Sequence, residues 1–597
     1  MSIETKKAIK GGEWIIRETP YADVFIPEEF DEEQRMIAQT CKDFVMNEVW
    51  PRLDEIDSMQ NPELIPSLLD KAGELGILGV SLPEQYGGFG KDFVTSLLVT
   101  EVTGAGHSFA VALSAHTGIG TLPIALYGNE AQKEKYLPKL ATGEWKAAYC
   151  LTEPNSGSDA NSGKTKAVLS ADGKHYVING QKMWITNSGF ADIFIVFAKI
   201  DEDENLSAFI IEKSFGGIKL NEEEKKMGIK GSSTRQVFFE DCHVPVENLL
   251  SERQNGFKIA VNILNIGRIK LAAAAIGGSK QCIAHSVNYS NERQQFGRPI
   301  SKYGAIRYKI SEQIIRTFSS ESATYRAGKN ITDAVNQLIS EGMDPHKAEL
   351  KGVEQFAIEC AILKVHGSET LDYVVDEGVQ IYGGMGYSAE APMDRAYRDA
   401  RINRIFEGTN EINRMLTVDM ILKRAMKGEF DLMSPAMAVV SEMMSIPEPF
   451  ENDGTVFANE KEYLRKFKKA ILLVAGGAVQ KLMQTLSKEQ EIIMDIADMA
   501  IDTYVAESTL LRVEKLIAQK GEEACKEYID LVRVLFNDTA DKIAVKGKNA
   551  VNSFAEGDEQ RMMLMGIKRF TKTEPFNVKD ARRNIAQLAI DKNTYPF

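Results

Sequence analysis

The spacing of apolar residues changes twice along this chain, and no single layer of secondary structure accommodates both changes. From about Phe30 to Ala147 apolar side chains recur at three and four, as at Leu64, Leu68, Leu69 and Ala72, the stripe of helices that each bury one face. The loop composition of SLPEQYGGFG interrupts them. Near Tyr149 the helical period stops. Residues 164–240 offer short β-rich runs, Tyr176–Ile178, Ile193–Phe197, Ala208–Ile211 and Val237–Phe239, with Asp172-Gly173 as a hairpin turn signal. Helical spacing returns at about Phe257 and continues to about Lys427. Residues 428–458 hold Pro435, Pro447, Pro449 and Asp453-Gly454 and read as a linker. Beyond it Ile492, Ile493, Ile496, Met499 and Ala500 mark a further amphipathic helix.

The expected fold is mainly α with an inserted β domain. It has an N-terminal α-helical domain (30–147), a small antiparallel β-barrel or sandwich (148–252) and a four-helix bundle (253–427). An additional α-helical domain (459–597) follows the linker. A chain of 597 residues is long enough for several such cores.

Composition narrows the function classes. The net charge of −14 argues against nucleic acid, whose phosphates require a basic face. Six scattered cysteines without a C-x-x-C pair suit reduced, buried thiols, and seven scattered histidines without H-E-x-x-H suggest no metal chemistry. No apolar run reaches the roughly 18 residues of a membrane span. The first thirty residues lack a signal-peptide core, and Glu4, Glu13, Glu18, Glu28 and Glu29 argue against a transit peptide. A cytoplasmic location is expected.

Four blocks carry chemistry. YCLTEPNSGSDA (149–160) is a polar turn rich in hydroxyls and backbone N–H groups, suited to carbonyl and phosphate oxygens. QKMWITNSG (181–189) places an indole and a hydroxyl two residues apart, on the same strand face. Read alone, Trp184 is a core residue at a strand end. ERQQFGRPI (292–300) reads as a helix leading into Gly297-Arg298-Pro299, with Arg293 as a fork for a phosphate. QIYGGMGYS and RIFEGTNEI (380–388 and 404–412) offer a glycine turn and, at Glu407, a carboxylate between Phe406 and Gly408. No G-x-G-x-x-G opens a βαβ unit, which excludes a Rossmann flavoprotein.

In that order and spacing the four blocks resemble the acyl-CoA dehydrogenase family over about residues 30–425. The resemblance implies FAD as cofactor. Tyr149, Leu151 and Thr152 are implied at the pyrimidine side of the flavin, Trp184, Ile185 and Thr186 at its ring, and Ser158 near its pyrophosphate and the CoA arm. It further implies that Arg293, Gln295, Phe296, Gln380, Gly383 and Gly384 reach the FAD of a neighbouring subunit, with Thr409 and Glu411 near its phosphate and adenosine side. Leu264, Asn265, Arg268, Phe406 and Gly408 become substrate contacts, with Arg268 on the CoA arm or under the Glu407 loop.

Glu407 is implied as the base that removes the α-proton of an acyl-CoA while the β-carbon loses hydride. Desolvation would raise its pKa toward the useful range. Some family members carry the base just before the arginine of the CoA-contacting helix; here that residue is Gly267. The thioester oxygen is implied to take hydrogen bonds from the Glu407 N–H and a flavin hydroxyl.

The extra domain resembles the very-long-chain branch. The small residues Ala110, Val111, Ala112, Ser114 and Ala115 leave room for a deep acyl tunnel. Fatty acid β-oxidation, an electron-transfer flavoprotein as acceptor and a homodimer complete the expectation. An acyl-CoA oxidase, or a flavoprotein kept as an assembly scaffold, are the alternatives. The Met-rich stretch 432–446 and the basic residues Lys461, Arg465, Lys466, Lys468 and Lys469 read as a bundle helix with a solvated basic face, or else as a weak peripheral membrane contact.

Overall fold

The computed structural model describes residues 9–443, 445 and 450–597. The N-terminal layer comprises α1 (Glu32–Phe44), α2 (Leu53–Ser58), α3 (Leu64–Glu74), α4 (Phe93–Thr103), α5 (Ser108–Ser114), α6 (Leu122–Tyr127) and α7 (Glu130–Thr142). Local sequence sets the ends. Asp31 accepts from the Gln34 N–H at 2.8 Å while the Gln34 side chain accepts from the Asp31 N–H, a reciprocal cap that starts α1. Gly143, at φ +80°, ends α7. Leu64, Leu68, Leu69 and Ala72 are all buried, as their spacing predicts.

The sheet domain follows. Its strands are β1 (Ala147–Cys150), β2 (Lys166–Leu169), β3 (His175–Thr186), β4 (Ile193–Ile200), β5 (Ser207–Glu212), β6 (Ile218–Leu220), β7 (Thr234–Pro245) and β8 (Leu249–Leu250). They run in the order β6-β7-β3-β2-β4-β5-β8, with β1 on β4. The β2–β3 hairpin turns at Asp172-Gly173, where Gly173 takes φ +69°. The sheet is not purely antiparallel: β1 and β2 both pair with β4 in parallel. Each reaches β4 by a connection longer than a hairpin allows.

The second helical layer contains α8 (Gly256–Glu292), α9 (Gly304–Ser340), α10 (Pro345–Gln355), α11 (Ala357–Tyr382), α12 (Pro392–Ala400) and α13 (Asn410–Met426). Small residues let α8 pack closely. A methyl at Gly277 would sit 1.8 Å from the Glu101 carbonyl, and one at Gly367 would sit 2.9 Å from Ala272.

Residues 293–300 do not continue α8. Gln294–Gln295 (β9) pairs with Arg298–Pro299 (β10) across Phe296 and Gly297 at φ +51° and +81°. Those left-handed angles make a two-residue hairpin turn, which overrides the helical propensity of the glutamines.

The expected linker is partly helical. α14 spans Met433–Met443 and contains Pro435. In the first turn a missing N–H costs no helical bond, so this proline does not break it. Pro447 and Pro449 lie outside the described residues.

The final layer is α15 (Ala458–Leu482), α16 (Gln490–Lys520), α17 (Lys526–Phe554), α18 (Gly557–Phe570) and α19 (Val578–Lys592). Its Ile492, Ile493, Ile496, Met499 and Ala500 stripe is buried, in one continuous core with the bundle. Ion pairs lock the seam: Arg326 to Glu507 at 2.9 Å, Arg512 to Glu321 at 2.7 Å and Arg582 to Glu312 at 2.8 Å. Desolvating both charges offsets much of their attraction, so such buried pairs add little net stability, although removing one partner would be costly.

Met433 and Met437 stay about two-thirds exposed, so α14 is not the buried helix expected. Nor is the basic face simply solvated: Lys461, Arg465, Lys466, Lys468 and Lys469 all pair with glutamates. Among the described residues three helices, Ser108–Tyr127, Gly256–Glu292 and Ala458–Lys488, are long and apolar enough to cross a membrane, contrary to the sequence expectation. Their apolar windows are 72%, 72% and 39% buried within the protein.

Candidate active site

The loop between α12 and α13 carries Glu407 in a left-handed conformation, φ +59°, followed by Gly408 at φ +78°. A residue with a side chain adopts that conformation at a cost of about 1–2 kcal/mol. Three helices hold it there by its carbonyls. Arg268 of α8 donates from Nε to the Glu407 oxygen at 3.2 Å. Lys364 of α11 donates to the Gly408 oxygen and to Asn410 Oδ1, each at 2.7 Å. Asn413 of α13 donates to the Gly408 oxygen at 2.9 Å and the Thr409 oxygen at 3.0 Å.

Thr409 caps α13 by accepting from the Ile412 N–H, and Glu411 stands exposed in its first turn. Arg268 therefore supports the loop. It is buried, and Nη1 binds Asn265 at 2.8 Å.

The carboxylate itself lies against α8. A methyl group at Gly267 would stand 2.6 Å from Glu407 Oε2. Glu407 as a residue is only half-buried, but Oε2 is shut off from solvent and has no hydrogen-bond partner among the described residues. Burial pushes its pKa up to about 7, against the opposing charges of Arg268 and Lys364. Burial likewise brings Lys364 down to about 8.

Glu407 opens onto a cavity of about 1350 Å³, counting its mouth. One stripe of α8 forms a whole wall, through Ile263, Gly267, Leu271, Ala274, Gly278 and His285. Ala110, Val111, Ser114 and Ala115 form the facing wall, as expected, whereas Ala112 does not line it, and Phe406 and Thr186 complete the end at Glu407. The four consecutive alanines of α8, Ala272–Ala275, thus have two uses, close packing at Ala272 and tunnel wall at Ala274. Leu264 and Asn265 do not line the cavity.

Strand β3 brings the second group of candidates. A bulge between Lys182 and Ile185 breaks the alternation, with Trp184 at φ +61°. Trp184 is therefore 54% exposed, not a core residue, and the two-residue spacing to Thr186 does not define one face. The Ile185 side chain is buried in the sheet core, leaving only its backbone available. Met183 N–H donates to the Thr152 carbonyl at 2.9 Å, joining the polar turn to this bulge.

Beneath the turn lies a buried pair that sequence reading missed. Lys182 Nζ binds Glu153 at 2.7 Å and the Leu151 carbonyl at 3.2 Å, while Glu153 accepts the Lys164 and Thr165 N–H groups. Leu151 is buried and Ser158 exposed. Tyr149 Oη is buried without a partner among the described residues, and burial and the Glu407 charge raise its pKa well above the usual value. An exposed indole, an unpaired buried hydroxyl and a tethered polar turn fit a planar ring system with hydrogen-bonding edges.

The third group stands apart. Arg293, Gln295, Phe296, Gly383 and Gly384 sit past the ends of α8 and α11, with Gln380 in the last turn of α11, held together where Tyr289 stacks on Tyr382 at 4.0 Å. From Gly267 to Glu292 the helix runs about 38 Å. Within one chain these residues cannot meet the ring site beside Glu407. Phe296 is 94% exposed.

A helical–sheet–helical frame with a sealed carboxylate facing an apolar tunnel and a ring-binding strand defines a flavin-dependent oxidoreductase of acyl chains. Family models bear this out. They match residues 31–144, 148–242 and 254–422 as the N-terminal, middle and C-terminal domains of acyl-CoA dehydrogenase, and 466–569 as a further acyl-CoA dehydrogenase C-terminal domain.

A probable acyl-CoA dehydrogenase of Bacillus subtilis is 45% identical over 98% of both chains. The human mitochondrial very long-chain specific acyl-CoA dehydrogenase is 42% identical over 66% of this chain and 57% of its own length. A crystal structure of an acyl-CoA dehydrogenase complexed with FAD from Bacillus anthracis superposes with a TM-score of 0.95 at 46% identity, covering 99% of this chain and all of that one. The chain belongs to the acyl-CoA dehydrogenase family, and its cofactor is FAD.

Proposed function

We propose that this protein introduces the α,β double bond into long-chain fatty acyl-CoA in β-oxidation, with Glu407 as the base, and passes electrons to an electron-transfer flavoprotein. The observation that carries the reading is the unpaired, sealed Oε2 of Glu407 at one end of the tunnel. Bound FAD supplies the hydride acceptor, and Tyr149, Thr152, Trp184 and Thr186 are the residues that would hold its ring.

The protein's own part is to place and poise a carboxylate. Arg268, Lys364 and Asn413 fix the loop, and the apolar wall keeps Oε2 dry, so Glu407 can take a proton near neutral pH. The Glu407 N–H has no acceptor among the described residues. It is the donor we assign to the thioester oxygen, where charge builds as the α-proton leaves.

Chain length follows from the wall. Gly267 and His285 both line the cavity and lie about 27 Å apart along α8, which favours long acyl chains. The exposed Phe296 hairpin and the Gly383 turn, remote from Glu407 in their own chain, would complete the FAD site of a partner subunit, making a homodimer the working unit. A cytoplasmic location, supported by six unpaired buried cysteines, belongs to the same proposal. Any weak membrane contact would rest on Met433 and Met437, because the basic residues are already paired.

Anaerobic flavin bleaching by butyryl-, octanoyl-, palmitoyl- and stearoyl-CoA tests the reading. The rate constant should rise toward the longer chains. Bleaching by none of them would refute it. Peroxide formed in air stoichiometrically with enoyl-CoA would make the protein an oxidase instead.

A further inference from the structure

The tunnel does not end in hydrocarbon. At the end away from Glu407, its lining includes Trp50, His107, Gln281, His285 and Asp399. The Trp50 indole stacks on His285 at 5.4 Å and lies 5.9 Å from His107, with its own N–H satisfied by the Ala105 carbonyl at 3.1 Å. His107 Nδ1 pairs with Asp399 at 2.9 Å, and His285 Nε2 meets the Gln281 amide at 3.1 Å. The second ring nitrogen of each histidine has no partner among the described residues. These polar groups are held in place by neighbours, and the rings that carry the free nitrogens line the cavity.

A methyl terminus would be a poor occupant of such an end. Burying an imidazole nitrogen under hydrocarbon without a partner forfeits its hydrogen bond to water with nothing in return. A hydrogen-bonding terminus would recover that loss. Burial and the neighbouring His107 hold His285 toward its neutral form. The one cation on the α8 wall, Lys270, stands a single turn from Gly267, near the opposite end. A neutral oxygen function therefore suits this floor better than a carboxylate.

We propose that the Trp50–His107–His285 floor is a subsite for a hydroxyl group at the ω-end of a long acyl chain. The proposal rests on the acyl-CoA dehydrogenation reading above and names the substrate class that site would prefer.

Matched pairs test it on the FAD-loaded enzyme. Dissociation constants and single-turnover bleaching are measured for docosanoyl-CoA and ω-hydroxydocosanoyl-CoA, whose extended chains match the length of α8 from Gly267 to His285, for octanoyl-CoA and ω-hydroxyoctanoyl-CoA, and for the ω-carboxyl long-chain analogue. The long hydroxylated chain should bind roughly threefold to tenfold tighter than its parent, the worth of one net hydrogen bond. The short pair, unable to reach the floor, should show no such gain. His285→Leu should invert the long-chain ranking and His285→Gln should restore it.

Equal or weaker binding of the long hydroxylated chain overturns the proposal, as does a gain at both lengths or a carboxyl analogue preferred over the hydroxyl. If none of the parent acyl-CoAs bleaches the flavin, the dehydrogenation reading itself has failed. Normal bleaching without the length-gated hydroxyl preference refutes only the subsite.

Discussion

Gly267→Ala probes how closely the base must be placed. The added methyl would lie 2.6 Å from Oε2 of Glu407 and 2.9 Å from its carboxyl carbon, whereas ordinary contact begins near 3.4 Å. The carboxylate must retreat by about 0.8 Å, because the opposing atom belongs to helix backbone and cannot yield. A misplacement of about 1 Å at a reacting centre costs on the order of 10²-fold in rate. Stability should hardly change: alanine is better than glycine in a helix interior by about 0.8–1 kcal/mol, which offsets much of the crowding of a flexible side-chain end.

Stopped-flow anaerobic bleaching with palmitoyl-CoA, alongside a thermal melt and FAD content, separates these effects. The expected result is a bleaching rate lower by about 10²-fold with normal FAD and a melting temperature within a few degrees. A rate within threefold of wild type would show that the carboxylate has slack at Gly267 and that the placement argument is wrong.

Other consequences follow from the same geometry. Only ionised Glu407 can accept a proton, and its pKa is raised to about 7, so bleaching should grow as pH rises through about 7 and level off above it. A profile that falls across that range would contradict the assignment. Lys364→Met removes a cation that lowers the Glu407 pKa and a donor to the Gly408 carbonyl, so the midpoint should move to higher pH and the maximal rate should drop. An unchanged midpoint would reduce Lys364 to scaffolding. Truncation near Glu451 strips the cover from α9 and should yield aggregates or tetramers by light scattering, while the full chain scatters as a dimer; a full-length tetramer would show that the added helices do not replace that interface.

Much of the frame was legible in the sequence, because long elements advertise their period. The α16 stripe and the change at Tyr149 are of this kind. Failures came where a short polar segment obeys local geometry. ERQQFGR has helical composition, yet Phe296 and Gly297 both take left-handed angles and make a hairpin. Pro435 looks like a break but falls in a helix's first turn. Trp184 looked like core until the bulge at Lys182–Ile185 turned it outward.

At the site, Glu407 was named from a motif block and Arg268 from the family resemblance of its helix, and the structure brings the two together. Lys364, Asn413 and the Lys182–Glu153 pair escaped because each resembles an ordinary helix or strand residue. Their roles arise only when elements distant in sequence meet. A lysine inside the apolar run Ala361–Val365 was the one available hint.

Glu407→Gln tests the central claim most directly. The amide keeps the shape of the side chain and the loop that holds it but cannot take a proton. Anaerobic reduction of the FAD enzyme by palmitoyl-CoA should fall by at least about 10³-fold, toward the upper part of what a general base contributes. Binding of the enoyl-CoA product should persist. If the variant keeps more than about a tenth of the wild-type rate, some other group removes the α-proton and the reading of this site is wrong.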